Sequence, residues 1–275
     1  MTGKTREELS QLLLSHPNPN DSKYSRGTVG FVTGSEKYPG AALLGINSAF
    51  ELGIGMVRYL GPKSVTNLVL SNRPEVVPGL GESQALVVGS GISKDEPLDQ
   101  VENLRTAFVS GLPMVIDAGA MNQVDFSKLR SVAILTPHHG EARWLLARFG
   151  VELDRGEIAA NPALVAGNLA NLTGQVVLLK GHVSFIAAPG LEPISTEPGS
   201  VHLATAGTGD ILAGIIGAFL AIAAAKKIEI DQANLIQIAL IANSIHSQAA
   251  ELAASNGHFG ASAVCEALSE FRHRG

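Results

Sequence analysis

The 275-residue chain is 45% hydrophobic and only 16% charged, with 30 glycines, a net charge of −5 and a pI near 5.9. This composition offers no basic footprint for nucleic acid and is too apolar for disorder; it suits an α/β enzyme with buried parallel strands and tight strand-to-helix turns. The single cysteine, Cys265, excludes an internal disulfide and a cysteine zinc cluster, and it fits a reducing compartment.

The first eight residues carry no apolar core of signal-peptide type. Residues 5–14 read as a short helix and 16–22 as a Pro/Asn/Asp-rich connector. Thr28–Gly34 follows as a strand ending in glycine, Ala41–Gly53 as a small-residue helix, and Gly55–Leu60 as the next strand. Leu86–Gly89, Met114–Asp117, Ala133–Thr136 and Val176–Lys180 are further strands, with helical stretches at 96–110, 139–149 and 161–173. After Val183–Ala188 the pattern changes to two long helices, about 208–226 and 231–255. The longest apolar run, Ile211–Ala225, falls short of the ~20 residues a membrane span needs and reads as a buried helix, so a cytoplasmic protein without a membrane segment is expected. No linker or internal repeat divides the chain, so residues 1–275 are read as a single domain.

Strand and helix alternating this often predicts an α/β fold, a mainly parallel central sheet with helices on both faces. Ligands in such sheets sit at the carboxyl ends of the strands. Gly34-Ser35, Gly89-Ser90-Gly91, Asp117, Thr136-Pro137-His138 and Lys180-Gly181 all fall at those ends.

Four stretches carry candidate chemistry. In Gly207-Thr208-Gly209-Asp210 the two glycines allow a tight turn into an apolar helix whose first N–H groups favour an anion. Asp210 beside it can accept a proton from a hydroxyl under attack. A plain helix cap by Thr208 or Asp210 is the competing reading, and the stretch alone leaves both open. In Tyr38-Pro39-Gly40-Ala41-Ala42 small residues permit close approach of a ligand or of a neighbouring helix. In Thr136–Glu141 the proline forces an extended exit that would push His138 into the cleft. Glu141 can help hold a hydrated Mg²⁺, or serve only as a first-turn helix acid. Lys180, ending a buried strand, asks for a partner such as phosphate, or else snorkels to solvent. GxGxxG, GxxxxGK[ST], GxSxG and HExxH are all absent.

Taken in order, these stretches resemble the NAD(P)H-hydrate dehydratase family, a branch of the ribokinase-like superfamily. The resemblance runs through GTVGFVTGS (27–35), YPGAA (38–42), VVGSG (87–91), IDA (116–118), LTPHHGE (135–141), LLKG (178–181) and ATAGTGDILAGII (204–216). It implies a ribokinase-like fold and repair of the S-hydrate of NADH or NADPH. ADP, or ATP in animal members, would phosphorylate the added hydroxyl, and phosphate would then leave.

Carried onto this chain, the resemblance implies Asp210 as the base and as a hydrate contact. Gly207, Thr208 and Gly209 would lie at the nucleotide phosphates, and Lys180, Gly181, His182, Val183 and Ser184 around the AMP portion. Ala41, Ala42, Gly91 and His138 would contact the hydrate. It further implies a homo-oligomer, a tetramer in the family, and a separate epimerase acting on the same substrate, with no epimerase domain in this chain. The chain departs from the family pattern at Ser90 (usually Pro), His139 (usually Pro) and Ala206 (usually Gly). It also departs at 260–263, where an aspartate often follows. A small-molecule kinase of the same superfamily, acting on a vitamin or sugar alcohol, is the nearest alternative. A nucleotide-binding protein without turnover is the second, although binding alone would not need a base.

Overall fold

The computed structural model describes residues 4–93 and 96–272. Its strands are β1 (Thr28–Val32), β2 (Met56–Tyr59), β3 (Val77–Pro78), β4 (Ala85–Val88), β5 (Met114–Ile116), β6 (Ala133–Leu135), β7 (Val176–Leu179), β8 (Phe185–Ala187) and β9 (Ile194–Ser195). Among the described residues they form one nine-stranded sheet in the order β3-β2-β1-β4-β5-β6-β7-β8-β9. Every pairing from β3 to β7 is parallel; β7–β8 and β8–β9 are antiparallel. The expected mainly parallel sheet is therefore present, with an antiparallel hairpin added at one edge.

The helices are α1 (Arg6–Leu13), α2 (Pro39–Glu51), α3 (Lys63–Asn72), α4 (Leu98–Phe108), α5 (Ala120–Gln123), α6 (His139–Ala147), α7 (Arg155–Ala160), α8 (Pro162–Thr173), α9 (Thr208–Ala225), α10 (Gln232–Ser255) and α11 (Ala261–Ala267). They cover both faces, because the strand side chains divide between two cores. Ala85, Val87, Val115, Ile134 and Leu178 face the core built with α2, α9 and α10. Leu86, Val88, Ile116, Leu135 and Leu179 face the one built with α4, α6 and α8. Burial on both faces explains why these strands read as unbroken apolar runs.

The central helix is α9, in which every residue from Ile211 to Ala223 is buried. By length and composition it could cross a membrane, but 78% of it lies inside the protein, as a core helix does. Two glycines allow it to seat closely. A methyl on Gly217 would lie 2.1 Å from Val87 Cγ2, and one on Gly214 would lie 2.1 Å from Ser48 Oγ and 2.3 Å from the Gly45 carbonyl oxygen. Its N-terminus is thereby pressed against α2 and held over the carboxyl edge of the sheet. Ser48 Oγ reinforces the seat by donating to the Ile211 carbonyl at 3.2 Å.

Several elements are additions to the sequence reading, among them β3, α5 and α7 as well as α3, β9 and α11. In α3 only Val65 and Val69 are buried, too short an apolar stripe to mark a helix among β-branched neighbours. The β8–β9 hairpin is only three and two residues long. Near the C-terminus, α11 buries Val264 and Cys265.

Candidate active site

The strand order reverses between β1 and β4, and the carboxyl ends of the strands at such a reversal are where open α/β sheets bind ligands. The Gly34 N–H donates to the Ser90 carbonyl at 2.7 Å, and Ser35 Oγ donates to the Gly91 carbonyl at 2.8 Å. Gly91 sits at φ 68°, and a methyl there would lie 2.4 Å from Ala41 Cβ and 2.9 Å from the Tyr38 carbonyl oxygen. Gly91, Ala41 and Ala42, far apart in sequence, are thus drawn together at the start of α2. Both alanines are buried. What this turn can offer a ligand is backbone rather than side-chain surface.

Beside α2 stands the N-terminus of α9. Gly207 holds φ 94°, and Thr208 Oγ1 donates to the Leu203 and Thr205 carbonyls at 2.9 and 3.0 Å, pinning the turn. No side chain caps the helix. Among the described residues the Asp210 carboxylate has no hydrogen bond or ion pair. Of the two readings left open by the sequence, the structure therefore lacks the cap: the first-turn amides and the helix dipole are unanswered, as an anion site requires. Burial pushes the Asp210 carboxyl up to about 7, the nearby Asp117 charge adds to the rise, and Lys180 opposes it. A carboxyl poised there can exchange a proton near neutrality.

Between the two ends lies a buried ionic cluster whose centre is Asp117, at the end of β5. Its Oδ1 accepts from Lys180 Nζ at 3.0 Å and from Thr136 Oγ1 at 2.7 Å. Its Oδ2 accepts from Ser90 Oγ at 2.8 Å. One carboxylate thus ties together the ends of β4, β6 and β7. Lys180 also lies 3.8 Å from Glu141 Oε2. Burial alone would push the Lys180 ammonium down, but Asp117 and Glu141 outweigh it and hold the ammonium above its ordinary value. The snorkelling alternative does not apply, because Nζ is anchored within the cluster. Burial raises the Glu141 carboxyl, with Lys180 opposing.

His138 departs from the expectation that proline would drive it into the cleft. It is the N-cap of α6: its Nδ1 accepts from the Glu141 N–H at 3.0 Å, while Glu141 Oε2 accepts from the His138 N–H at 2.8 Å. This reciprocal cap leaves the ring largely exposed. The backbone at Pro137–His138 nonetheless borders the site, since the Lys180 N–H donates to the Pro137 carbonyl at 2.7 Å.

A cavity of about 400 Å³ opens beside this cluster. Lys180, Gly181, His182 and Ser184 form one wall, the 199–204 segment another, and Thr208 and Gly209 the floor. Val183 and Gly207 do not line it. Asn243, His246 and Ser247 of α10 close the remaining side. Neither Asp117 as the hub nor the α10 face was evident beforehand. Asp117 stood out only as one polar strand end among several, because its partners are 27, 19 and 63 positions away.

A metal ion fits the charge but not an all-protein cage. Three carboxylates, Asp117, Glu141 and Asp210, surround one ammonium, yet no group of three or more metal-ligating side chains occurs among the described residues. Mg²⁺ commonly binds through one or two carboxylates, waters and substrate phosphates. Asp117 is engaged through both oxygens, which leaves Glu141, whose Oε1 makes no hydrogen bond among the described residues, and the unpartnered Asp210 as the acids available to it.

Known proteins of one family are similar to the chain. The family model for NAD(P)H-hydrate dehydratase matches residues 29–272. The bifunctional NAD(P)H-hydrate repair enzyme of Mycobacterium tuberculosis is 38% identical over 216 residues, which are 74% of this chain and 43% of that protein. The ADP-dependent (S)-NAD(P)H-hydrate dehydratase of Neisseria meningitidis is 30% identical over 243 residues, 80% of each chain. The chain thus spans less than half the length of the bifunctional relatives it matches. Among solved structures, the ADP/ATP-dependent NAD(P)H-hydrate dehydratase of Bacillus subtilis, co-crystallized with ATP and Mg²⁺, superimposes with a TM-score of 0.80 at 26% identity. That match covers 98% of this chain and 97% of the other.

Proposed function

Since the chain belongs to the NAD(P)H-hydrate dehydratase family, we propose that it restores the S-hydrates of NADH and NADPH to the reduced cofactors, using ADP, or ATP, as the phosphoryl donor. The observation that carries the proposal is Asp210. It is a carboxylate free of protein partners, poised near neutral pH, at the uncapped N-terminus of α9 and between the Gly91 turn and the cavity. A protein that only bound nucleotide would have no use for a base so placed, and leaving it unpaired costs stability.

In this reading the hydrate lies against Gly91, Ala41 and Ala42, and the nucleotide in the cavity edged by Lys180–Ser184. The hydrate hydroxyl oxygen attacks the terminal phosphorus of ADP. Its proton passes to Asp210, and the bond to the departing AMP breaks. The free amides of Thr208 to Asp210, with the Lys180 ammonium, hold the phosphate oxygens as charge builds there. Lys180 is kept aimed by Asp117. Mg²⁺, when bound, would neutralise phosphate charge, with Glu141 as its protein contact. The ring nitrogen then expels phosphate, a far better leaving group than hydroxide, and the neighbouring carbon releases a proton as the double bond returns.

His138 borders the hydrate side through its backbone, with the ring held as a cap. We also read residues 1–275 as one catalytic domain, acting in the cytoplasm as a homo-oligomer on a substrate it shares with an epimerase activity. The test is to mix the protein with NADH hydrate and either ADP or ATP, and to follow the near-ultraviolet absorbance of the dihydronicotinamide. Recovery is expected with at least one nucleotide. A flat trace with both would overturn the proposal.

A further inference from the structure

The cavity wall supplied by α10 is not used by the chemistry above. Asn243, His246 and Ser247 occupy positions i, i+3 and i+4 and so share one helix face, which lines the cavity. Ser247 has a structural partner: its Oγ accepts from the Ser200 N–H at 2.8 Å and stitches the two walls together. The other two have none to spare. Among the described residues the half-buried Asn243 carboxamide makes no hydrogen bond. His246 is 5% exposed, and its Nε2 has no partner. Buried polar groups in folded proteins are almost always paired, so the unpaired Nε2 of His246, with the partly accessible Asn243 carboxamide beside it on the same cavity wall, points to a ligand that supplies the missing partner.

The chemistry of that ligand follows from the surroundings. Burial holds the His246 ring neutral, with its pKa pushed down to about 4, against the Thr208 backbone, which favours the protonated form. A neutral imidazole with its proton on the nitrogen facing that backbone leaves Nε2, which has no partner, as a lone pair. A lone pair in this wall accepts from an O–H or N–H and repels a phosphate oxygen. The phosphates already have their own place at Lys180 and the amides of α9. Val201, Leu203 and Leu212 add apolar surface to the same cavity, suited to the face of a base or sugar.

We propose that Asn243 and His246 recognise the nucleoside portion of the nucleotide. The Asn243 carboxamide pairs with its polar edge, and His246 Nε2 accepts from a ribose hydroxyl or the adenine amino group. Neither residue is required by the phosphoryl chemistry itself. The inference rests on the reading of this cavity as the nucleotide site, and it adds which residues of this chain select the nucleoside.

Calorimetric titration of the wild type, Asn243→Ala and His246→Gln with ADP, 2′-deoxy-ADP, IDP and pyrophosphate tests it, with unliganded melting curves to confirm folding. Each variant should weaken ADP roughly tenfold, about the loss of one good hydrogen bond, and leave pyrophosphate unchanged. In the wild type, weaker binding of 2′-deoxy-ADP or of IDP supports a contact to the ribose or to the adenine amino group respectively. Unchanged ADP binding in a folded Asn243→Ala, or an equal loss for ADP and pyrophosphate, overturns the inference while the nucleotide site stands. A wild type that binds no adenine nucleotide, yet still binds the hydrate, overturns the cavity assignment along with it.

Discussion

Replacing Asp210 by asparagine should make the protein more stable and inactive at the same time. In the folded protein burial lifts this carboxyl from 3.8 to about 7, a shift worth about 4 kcal/mol. The folded state holds the proton more tightly than the unfolded chain does, so stability falls as pH rises through that interval, and the full penalty is present above pH 7. A neutral amide of the same shape avoids the penalty. Leaving the amide unpaired returns about 1 kcal/mol of it. Asp210→Asn should therefore gain about 3 kcal/mol at pH 8, near 6–10 °C in Tm for a domain of this size, and about 1 kcal/mol at pH 5. Urea unfolding and thermal melts at the two pH values, without nucleotide, measure both gaps. A variant less stable than wild type at pH 8, or a gap independent of pH, would show that Asp210 is held by favourable contacts and is no strained base.

The same carboxyl sets the pH dependence of turnover. Activity with ADP should rise through a limb near pH 7 as Asp210 loses its proton, and a limb lying near the ordinary aspartate value would refute the burial argument. Asp117→Ala leaves Lys180, Ser90 and Thr136 without their shared acceptor; the loss should be roughly 3 kcal/mol in urea unfolding, as for breaking a buried ion pair. Gly91→Ala places a methyl against Ala41 and the Tyr38 backbone at a left-handed φ, so it should raise the KM for the hydrate while leaving ADP affinity intact. Equal damage to both, seen by titration, would mean that Gly91 supports the whole edge of the sheet.

Much of this arrangement was legible from local pattern. Strands buried on both faces announce themselves as apolar runs, and Val87-Val88, Val115-Ile116 and Leu178-Leu179 lie where that pattern places them. The glycine turn before α9 was visible because few other residues tolerate its backbone. Whether that turn was a cap or an anion site was not, since the answer depends on what Thr208 and Asp210 do with their side chains. His138 went the other way. A proline exit does favour an extended residue, but the ring was taken by the cap it forms with Glu141 three positions on, a local competition the sequence left undecided. The Asp117 hub and the α10 wall were out of reach for a simpler reason. Their partners come from separate strands and helices, and only the order of strands in the sheet brings those ends together.

Phosphoryl transfer to the hydrate, rather than binding alone, is what the proposed chemistry requires. The most direct measurement is the product balance for NADH hydrate and ADP with the wild-type protein. NADH, AMP and inorganic phosphate should appear in a 1:1:1 ratio at equal rates, and all three should be absent with Asp210→Asn. NADH regained without AMP, or AMP formed with a phosphorylated product that persists, would contradict it.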